Sequence, residues 1–242
     1  MPSIKRVIIT ATVGVVLGER EDEIYNGTSL YPSLLPIPKL LTRPEQTIQP
    51  IPEGPYTEAF TAYSASKRLA YRATTDFIAT HKPSFIIVNL MPTFIVGSWE
   101  LATSAAALPN GSNGIALSSV LGASMPAPMP GITIHVQDLA RVHVEAMTNE
   151  KIQTHEDIIL NADDTEGCVW TDTIKIAEKH FPRAVKKGIL PLGGNTPTAR
   201  RRVDGSKAER VFGIKMMGFE EQIVSVVGQF VELAEKAQGQ KA

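Results

Sequence analysis

The 242 residues, 43% hydrophobic and 20% charged, are enough for one large α/β domain or a domain with a small appendage. Lys plus Arg number 24 against 25 for Asp plus Glu, and a net charge of −1 gives no electrostatic basis for nucleic acid or an anionic membrane as main partner; a small, roughly neutral ligand fits better. The single cysteine, Cys168, excludes an intramolecular disulfide framework and a Cys-rich zinc site, reads as a small buried hydrophobe, and suits a reducing, cytoplasmic setting.

Ile4 to Val16 is a β-branched run almost without polar relief, the pattern of a strand buried on both faces of a parallel sheet. Its apolar part, Val7 to Leu17, is about half of the ~20 residues a membrane span needs. Residues 25–55 are proline-rich without sustained period and read as a long surface insertion. From Ser64 to Lys82, Leu69, Ala73, Phe77 and Ile78 recur with helical spacing, and Pro83 ends the pattern. Phe85 to Val96 is a second buried strand whose C-terminal end is marked by Pro92, which lacks a ladder donor. Strand, helix, strand makes one crossover of a parallel sheet.

Residues 98–131, rich in small residues, Pro and Met, carry no periodicity that bounds an element. Ile132 to Val136 reads as a short strand, and Asp138 as the cap of a helix reaching about Asn149. Ile158 to Asn161 is a further strand, Thr171 to His180 a helix stopped by Pro182, and Phe219 to Lys236 an amphipathic helix with Ile223, Val227, Phe230, Val231 and Ala234 on one stripe. The sequons at Asn26 and Asn110 read as turn chemistry, and Arg200-Arg201-Arg202 as a solvated loop rather than a site for an anionic substrate.

Tyr63-Ser64-Ala65-Ser66-Lys67 places a phenol and an ammonium four residues apart, on one face of the helix. A free tyrosine titrates near ~10, and an ammonium held close favours the phenolate, so such a tyrosine can exchange a proton with a substrate oxygen near neutral pH. The spacing alone is a frequent coincidence, but the pair opens a helix that feeds a buried strand. The preceding run, Ile9-Thr10-Ala11-Thr12-Val13, brings Thr12 to a strand's C-terminal end, where ligands of open α/β sheets bind. A hydroxyl there can donate to an oxygen on which charge develops. There is no Gly-x-Ser-x-Gly elbow and no phosphate-loop lysine motif, and the five histidines lack metal-site spacing, so no metal is expected.

Thr10-Ala11-Thr12, Tyr63 to Lys67, Met91-Pro92-Thr93-Phe94-Ile95-Val96-Gly97 and His135 to His143 (HVQDLARVH) come in the order seen in extended short-chain dehydrogenases. The set resembles the NAD-dependent epimerase/dehydratase family, and within it the dihydroflavonol reductase-like and fungal ketoreductase branch. The resemblance covers Ile4 to about Leu233 apart from the insertion. It implies an α/β fold: a partial Rossmann-like parallel sheet, of later strands only, with a small α/β C-terminal substrate lobe. Residues 1–97 would be the catalytic half, and 98–242 the lobe, with sheet elements returning at about 132–162. Carried over by match, Tyr63 is the catalytic acid/base and Lys67 the residue that binds the nicotinamide ribose and tunes it. Thr12 stands where the family usually has serine, and Pro92 and Thr93 belong to the segment that meets the nicotinamide carboxamide. Asp138 and His143 take a fold role. The cofactor implied is NADP or NAD, with NADP favoured, and the substrate a small carbonyl compound.

No glycine-rich dinucleotide loop follows a strand, and Ile4 corresponds to about the family's fifth strand, so the expectation is a chain without the nucleotide-binding half. Such a chain would expose an apolar sheet edge and associate with itself or a partner. The functional expectation is therefore an NAD(P)H-dependent ketone or aldehyde reductase of a specialised biosynthetic pathway, inactive alone if the missing half is essential. Its rivals are a non-catalytic interaction module and an incomplete gene model. Epimerase or dehydratase chemistry stays open beside reduction. All readings of the chemistry require Tyr63, Lys67 and Thr12 to converge at one point above the sheet.

Overall fold

The structure, a computed structural model, describes residues 4–18, 24–25, 48–162 and 165–239. In chain order its elements are β1 (Arg6–Thr10), β2 (Ile24–Tyr25), α1 (Ala59–His81), β3 (Ile86–Pro92), β4 (Phe94–Val96), α2 (Ser112–Ser118), β5 (Met129–Pro130), β6 (Thr133–His135) and α3 (Val136–Ala146). There follow β7 (Glu156–Leu160), α4 (Asp172–His180), α5 (Pro182–Lys186), β8 (Thr198–Ala199), β9 (Arg202–Val203), α6 (Ser206–Phe212) and α7 (Phe219–Gly239).

The main described sheet is parallel, in the order β1-β3-β7. Thr10 is in register with Leu90, and Leu90 in turn with Ile158. Helix α1 joins β1 to its neighbour β3, which is the expected crossover. The strand buried on both faces is β3, since Ile87 to Pro92 are all buried between two neighbours. Each of its fully buried aliphatic side chains contributes on the order of 1.5–3 kcal/mol. Pro92 ends the strand as expected, and the next amide, Thr93 N–H, reaches the Leu160 carbonyl at 3.0 Å.

The run Ile4 to Val16 is not one buried strand. β1 stops at Thr10, forms the outer strand of the described sheet, and has half-buried residues from Arg6 to Ile9. Val13–Val15 is a 3-10 turn whose valines, with Val16, pack against Tyr71, Met91 and Ile159. These β-branched residues fill the core from a turn, which periodicity cannot distinguish from a strand. The proline-rich insertion lies mostly outside the described residues, although Ile24–Tyr25 pairs with Arg202–Val203.

Helix α1 begins at Ala59, five residues before the expected Ser64, and closes at Lys82 with φ 44 and its N–H on the Ile78 carbonyl, one residue before Pro83. Asp138 is not the cap of α3. That position belongs to His135, whose Nδ1 accepts the Gln137 N–H at 3.2 Å, while the buried Asp138 carboxylate accepts the Met217 N–H at 2.7 Å. Pro182 does more than stop α4, because it opens α5, where a missing N–H costs nothing.

The second lobe gathers α2, α4, α5 and α7 around the fully buried Trp170. Phe94 and Phe219 meet that indole edge-on, with centroids 6.2 and 5.6 Å away, and its Nε1–H donates to the Pro130 carbonyl at 2.9 Å. Cys168 is buried in the core of this lobe and in no disulfide, the packing residue it was expected to be. β4 pairs with β6 and links the lobes, since only Thr93 separates it from β3. Gly97, at the end of β4, has φ +146, and a Cβ there would stand 2.8 Å from His135 Nε2 and 2.9 Å from Val136 Cγ1. Among the described residues no helix is long and apolar enough to cross a membrane.

Candidate active site

The C-terminal ends of β1 and β3 and the first three turns of α1 open onto one cavity of about 870 Å³. Because β1 stops at Thr10, the chain can turn at once. Thr12 is fully extended (φ −160, ψ 148), and its Oγ1 accepts the Gly14 N–H at 3.2 Å as the cap of the 3-10 turn. An accepting hydroxyl keeps its own proton for donation. Arg68 holds α1 against this turn through its Nε–H, 3.3 Å from the Gly14 carbonyl, and through a second bond to the Pro50 carbonyl. Burial draws its pKa below the usual arginine value.

Lys67, one residue earlier, donates from Nζ to the Thr10 carbonyl at 2.9 Å. The ammonium is thereby fixed over the end of β1. Four residues before it, Tyr63 lies on the same helix face, 46% exposed, with its ring stacked 6.2 Å from that of Phe60. Tyr63, Lys67, Thr12, Pro92 and Thr93 all line the cavity. Thr93 is itself held by a bond from Oγ1 to the Leu160 carbonyl at 3.1 Å.

Sequence reasoning missed the support behind Lys67. Thr10 Oγ1 lies 2.8 Å from His143 Nε2, and His143 Nδ1 lies 2.8 Å from the Leu139 carbonyl. The signal was present, since Thr10 and His143 belong to two of the ordered motifs, but nothing in the sequence links them. It also missed the apolar part of the cavity lining, which includes Phe94, Ile95, Ile115, Met125, Met129 and Ile132. Some of it comes from residues 98–131, where no pattern was legible. Arg200 and Arg202 lie elsewhere and pair with Glu166. No metal-ligating cluster occurs among the described residues.

A parallel sheet with a tyrosine, a lysine four residues on and a strand-end hydroxyl around one cleft defines a class of α/β oxidoreductase sites. No protein-family model matches the chain. A ketoreductase of Cercospora beticola is 31% identical over 247 residues, 97% of this chain and 69% of that protein. An NAD-dependent epimerase/dehydratase of Alternaria alternata is 27% identical, over 96% of this chain and 65% of that one. Among solved structures, the yeast methylglyoxal/isovaleraldehyde reductase complexed with NADPH superposes with a TM-score of 0.64 at 18% identity, over 96% of this chain and 65% of its own. Vestitone reductase from alfalfa gives 0.63 at 16%, covering 94% and 64%. The chain thus spans about two thirds of the length of the proteins it matches. It belongs to the extended short-chain dehydrogenase/reductase family, within an oxidoreductase lineage that includes fungal ketoreductases.

Proposed function

We propose that this chain carries the catalytic machinery of an NAD(P)H-dependent ketone or aldehyde reductase. The observation that supports this most is the meeting of Thr12, Tyr63 and Lys67 with the end of β3 at a single cavity. Residues 1–97 would supply the reacting wall and 98–242 most of the substrate lobe. The residues fit the nicotinamide end of such a cofactor. The ammonium of Lys67 has three N–H donors, of which the Thr10 carbonyl takes one, leaving others for ribose hydroxyls. The Pro92–Thr93 backbone lies beside them, on the cavity wall.

When bound, the reduced nicotinamide supplies a hydride to the carbonyl carbon. Tyr63 delivers its phenolic proton to the oxygen, Thr12 donates a hydrogen bond to the same atom, and Lys67 keeps the phenol poised for proton exchange. The product is an alcohol. Titration of the purified chain with NADPH and with NADH, followed by nicotinamide fluorescence and by turnover of a ketone, tests the proposal. Binding with turnover that Tyr63→Phe abolishes supports it, and absence of binding to both cofactors defeats it for this chain alone.

A second reading, an interaction module, is favoured by the half-buried outer strand β1, which among the described residues has a partner on one side only. A monomer by light scattering at high concentration counts against it.

A further inference from the structure

Thr12 lies in the middle of a short stretch, Thr10 to Gly14, that α1 grips at both ends. Lys67 Nζ donates to the Thr10 carbonyl at 2.9 Å, and the next residue, Arg68, donates from Nε to the Gly14 carbonyl at 3.3 Å. Consecutive side chains leave a helix about 100° apart, so two neighbours on α1 can hold two separate points of a passing chain. Arg68 also reaches a third segment. Its Nη1 donates to the Pro50 carbonyl, while Gln49 donates its backbone N–H to the Val15 carbonyl at 2.9 Å and its Nε2–H to the Val16 carbonyl at 3.3 Å. The exit of the proline-rich insertion is thus tied to the turn that Thr12 caps. Among the described residues no carboxylate pairs with Arg68, although partial burial costs the guanidinium some of its hydration. The two carbonyls are all that it holds.

The main chain held in this way aims a hydroxyl. The Gly14 N–H occupies a lone pair of Thr12 Oγ1 at 3.2 Å, so this bond favours a single Thr12 rotamer only while Gly14 stays in place. Thr12 lines the cavity with Tyr63 and Lys67, whereas Arg68 stands outside that lining. We infer that Arg68 is a positioning residue for Thr12. By holding Gly14 from α1 it fixes the direction of the Thr12 hydroxyl relative to Tyr63 on the same helix, and through Pro50 it makes the end of the insertion part of that support. The use made of the aimed hydroxyl rests on the reductase reading, and the grip rests on the bonds alone.

Two measurements on the full chain separate positioning from folding. With ¹³C-methyl threonine, three-bond couplings from the Thr12 methyl to its own backbone carbonyl and nitrogen read the side-chain rotamer without cofactor or substrate. The parent chain should show a single rotamer and Arg68→Met an averaged pair, with Thr93, held by its own bond to the Leu160 carbonyl at 3.1 Å, unchanged. A Thr12 rotamer that stays single in Arg68→Met, or averaging at Thr12 and Thr93 alike, overturns the inference. The second measurement is a kinetic cycle with NADPH and a ketone. Arg68→Met should lower kcat ~10-fold with KM held within ~2-fold, and should cost nothing further when added to Thr12→Val, since no hydroxyl is left to aim. Losses that multiply in the double variant assign Arg68 a separate task and overturn the inference. Absence of turnover in the parent chain removes the reductase reading, and the couplings still decide the grip. Turnover that Tyr63→Phe abolishes and Arg68→Met leaves untouched keeps that reading and removes the inference.

Discussion

Thr10 Oγ1 and His143 Nε2 lie 2.8 Å apart, joining the end of the outer strand to the last turn of α3. The Leu139 carbonyl can only accept, so His143 Nδ1 donates to it, and in the neutral ring Nε2 then accepts from the threonine hydroxyl. The Thr10 carbonyl then meets Lys67 from a fixed position. Through Thr10, His143 is thus linked to the strand end that holds Lys67.

Thr10→Val should accordingly lower kcat about tenfold, whereas Thr10→Ser, which keeps the hydroxyl, should restore most of it, the size being that of a misplaced catalytic group. Steady-state kinetics of both variants, with matched urea midpoints, check this. Equal loss in Ser and Val would count against hydroxyl anchoring.

Tyr63→Phe removes the proposed proton donor and should cost ~10²–10⁴ in kcat. Because Tyr63 is 46% exposed, the thermal midpoint should stay within about 1–2 °C of the parent chain. A large loss of stability would mean that the phenol serves packing.

Asp138 is buried, and its carboxylate accepts the Met217 N–H at 2.7 Å, tying α3 to the segment that enters α7. Asp138→Ala leaves that amide without its partner and should destabilise the chain by about 1–3 kcal/mol in urea unfolding. Asp138→Asn keeps an acceptor and should recover part of this.

His135 and His155 both accept backbone N–H groups on Nδ1, from Gln137 at 3.2 Å and Ile87 at 2.9 Å. Burial holds both below the ordinary value of 6.5, while Asp138 and Glu221 near His135, and Asp157 near His155, pull the other way. The unfolded chain therefore binds protons first as pH falls. Stability from these groups is complete above about pH 6.5, declines below it, and levels once the folded histidines protonate. Urea midpoints at about pH 7.5 and about pH 5.5 should show the decline. His155→Asn, which can accept but not titrate, should flatten it; an unchanged slope would remove His155 from the account.

The sheet and the family were legible because buried strands, a helical period and four ordered motifs all lie in contiguous residues, as in Phe85 to Val96 and Tyr63 to Lys67. What escaped depends on contacts between distant residues. Val13 to Val16 look like strand because apolarity reports burial and not backbone conformation. Asp138 looks like a cap, yet its acceptor is used 79 positions away by Met217, and the nearer His135 does the capping. β7 begins two residues before the expected Ile158 because Asp157, polar and therefore discounted, is buried against the Tyr71 hydroxyl (2.6 Å) and the Asn89 amide (2.8 Å). The apolar wall of the cavity had no local signature at all, since Met125 and Met129 are placed by strand-like bonds to residues 195–199.

That stitching of Met125, Met129 and Gly131 to Asn195, Pro197 and Ala199 is donated by main-chain N–H groups, which every amino acid but proline provides. The side chains of Met125 and Met129 can be exchanged without removing these bonds, whereas a Cβ at Gly131 would run into the Cys168 carbonyl; Thr12, Tyr63 and Lys67 sit on other stretches of the chain. Evolution, or an engineer, could reshape this side of the cavity by rewriting a handful of codons and leave those three residues in place.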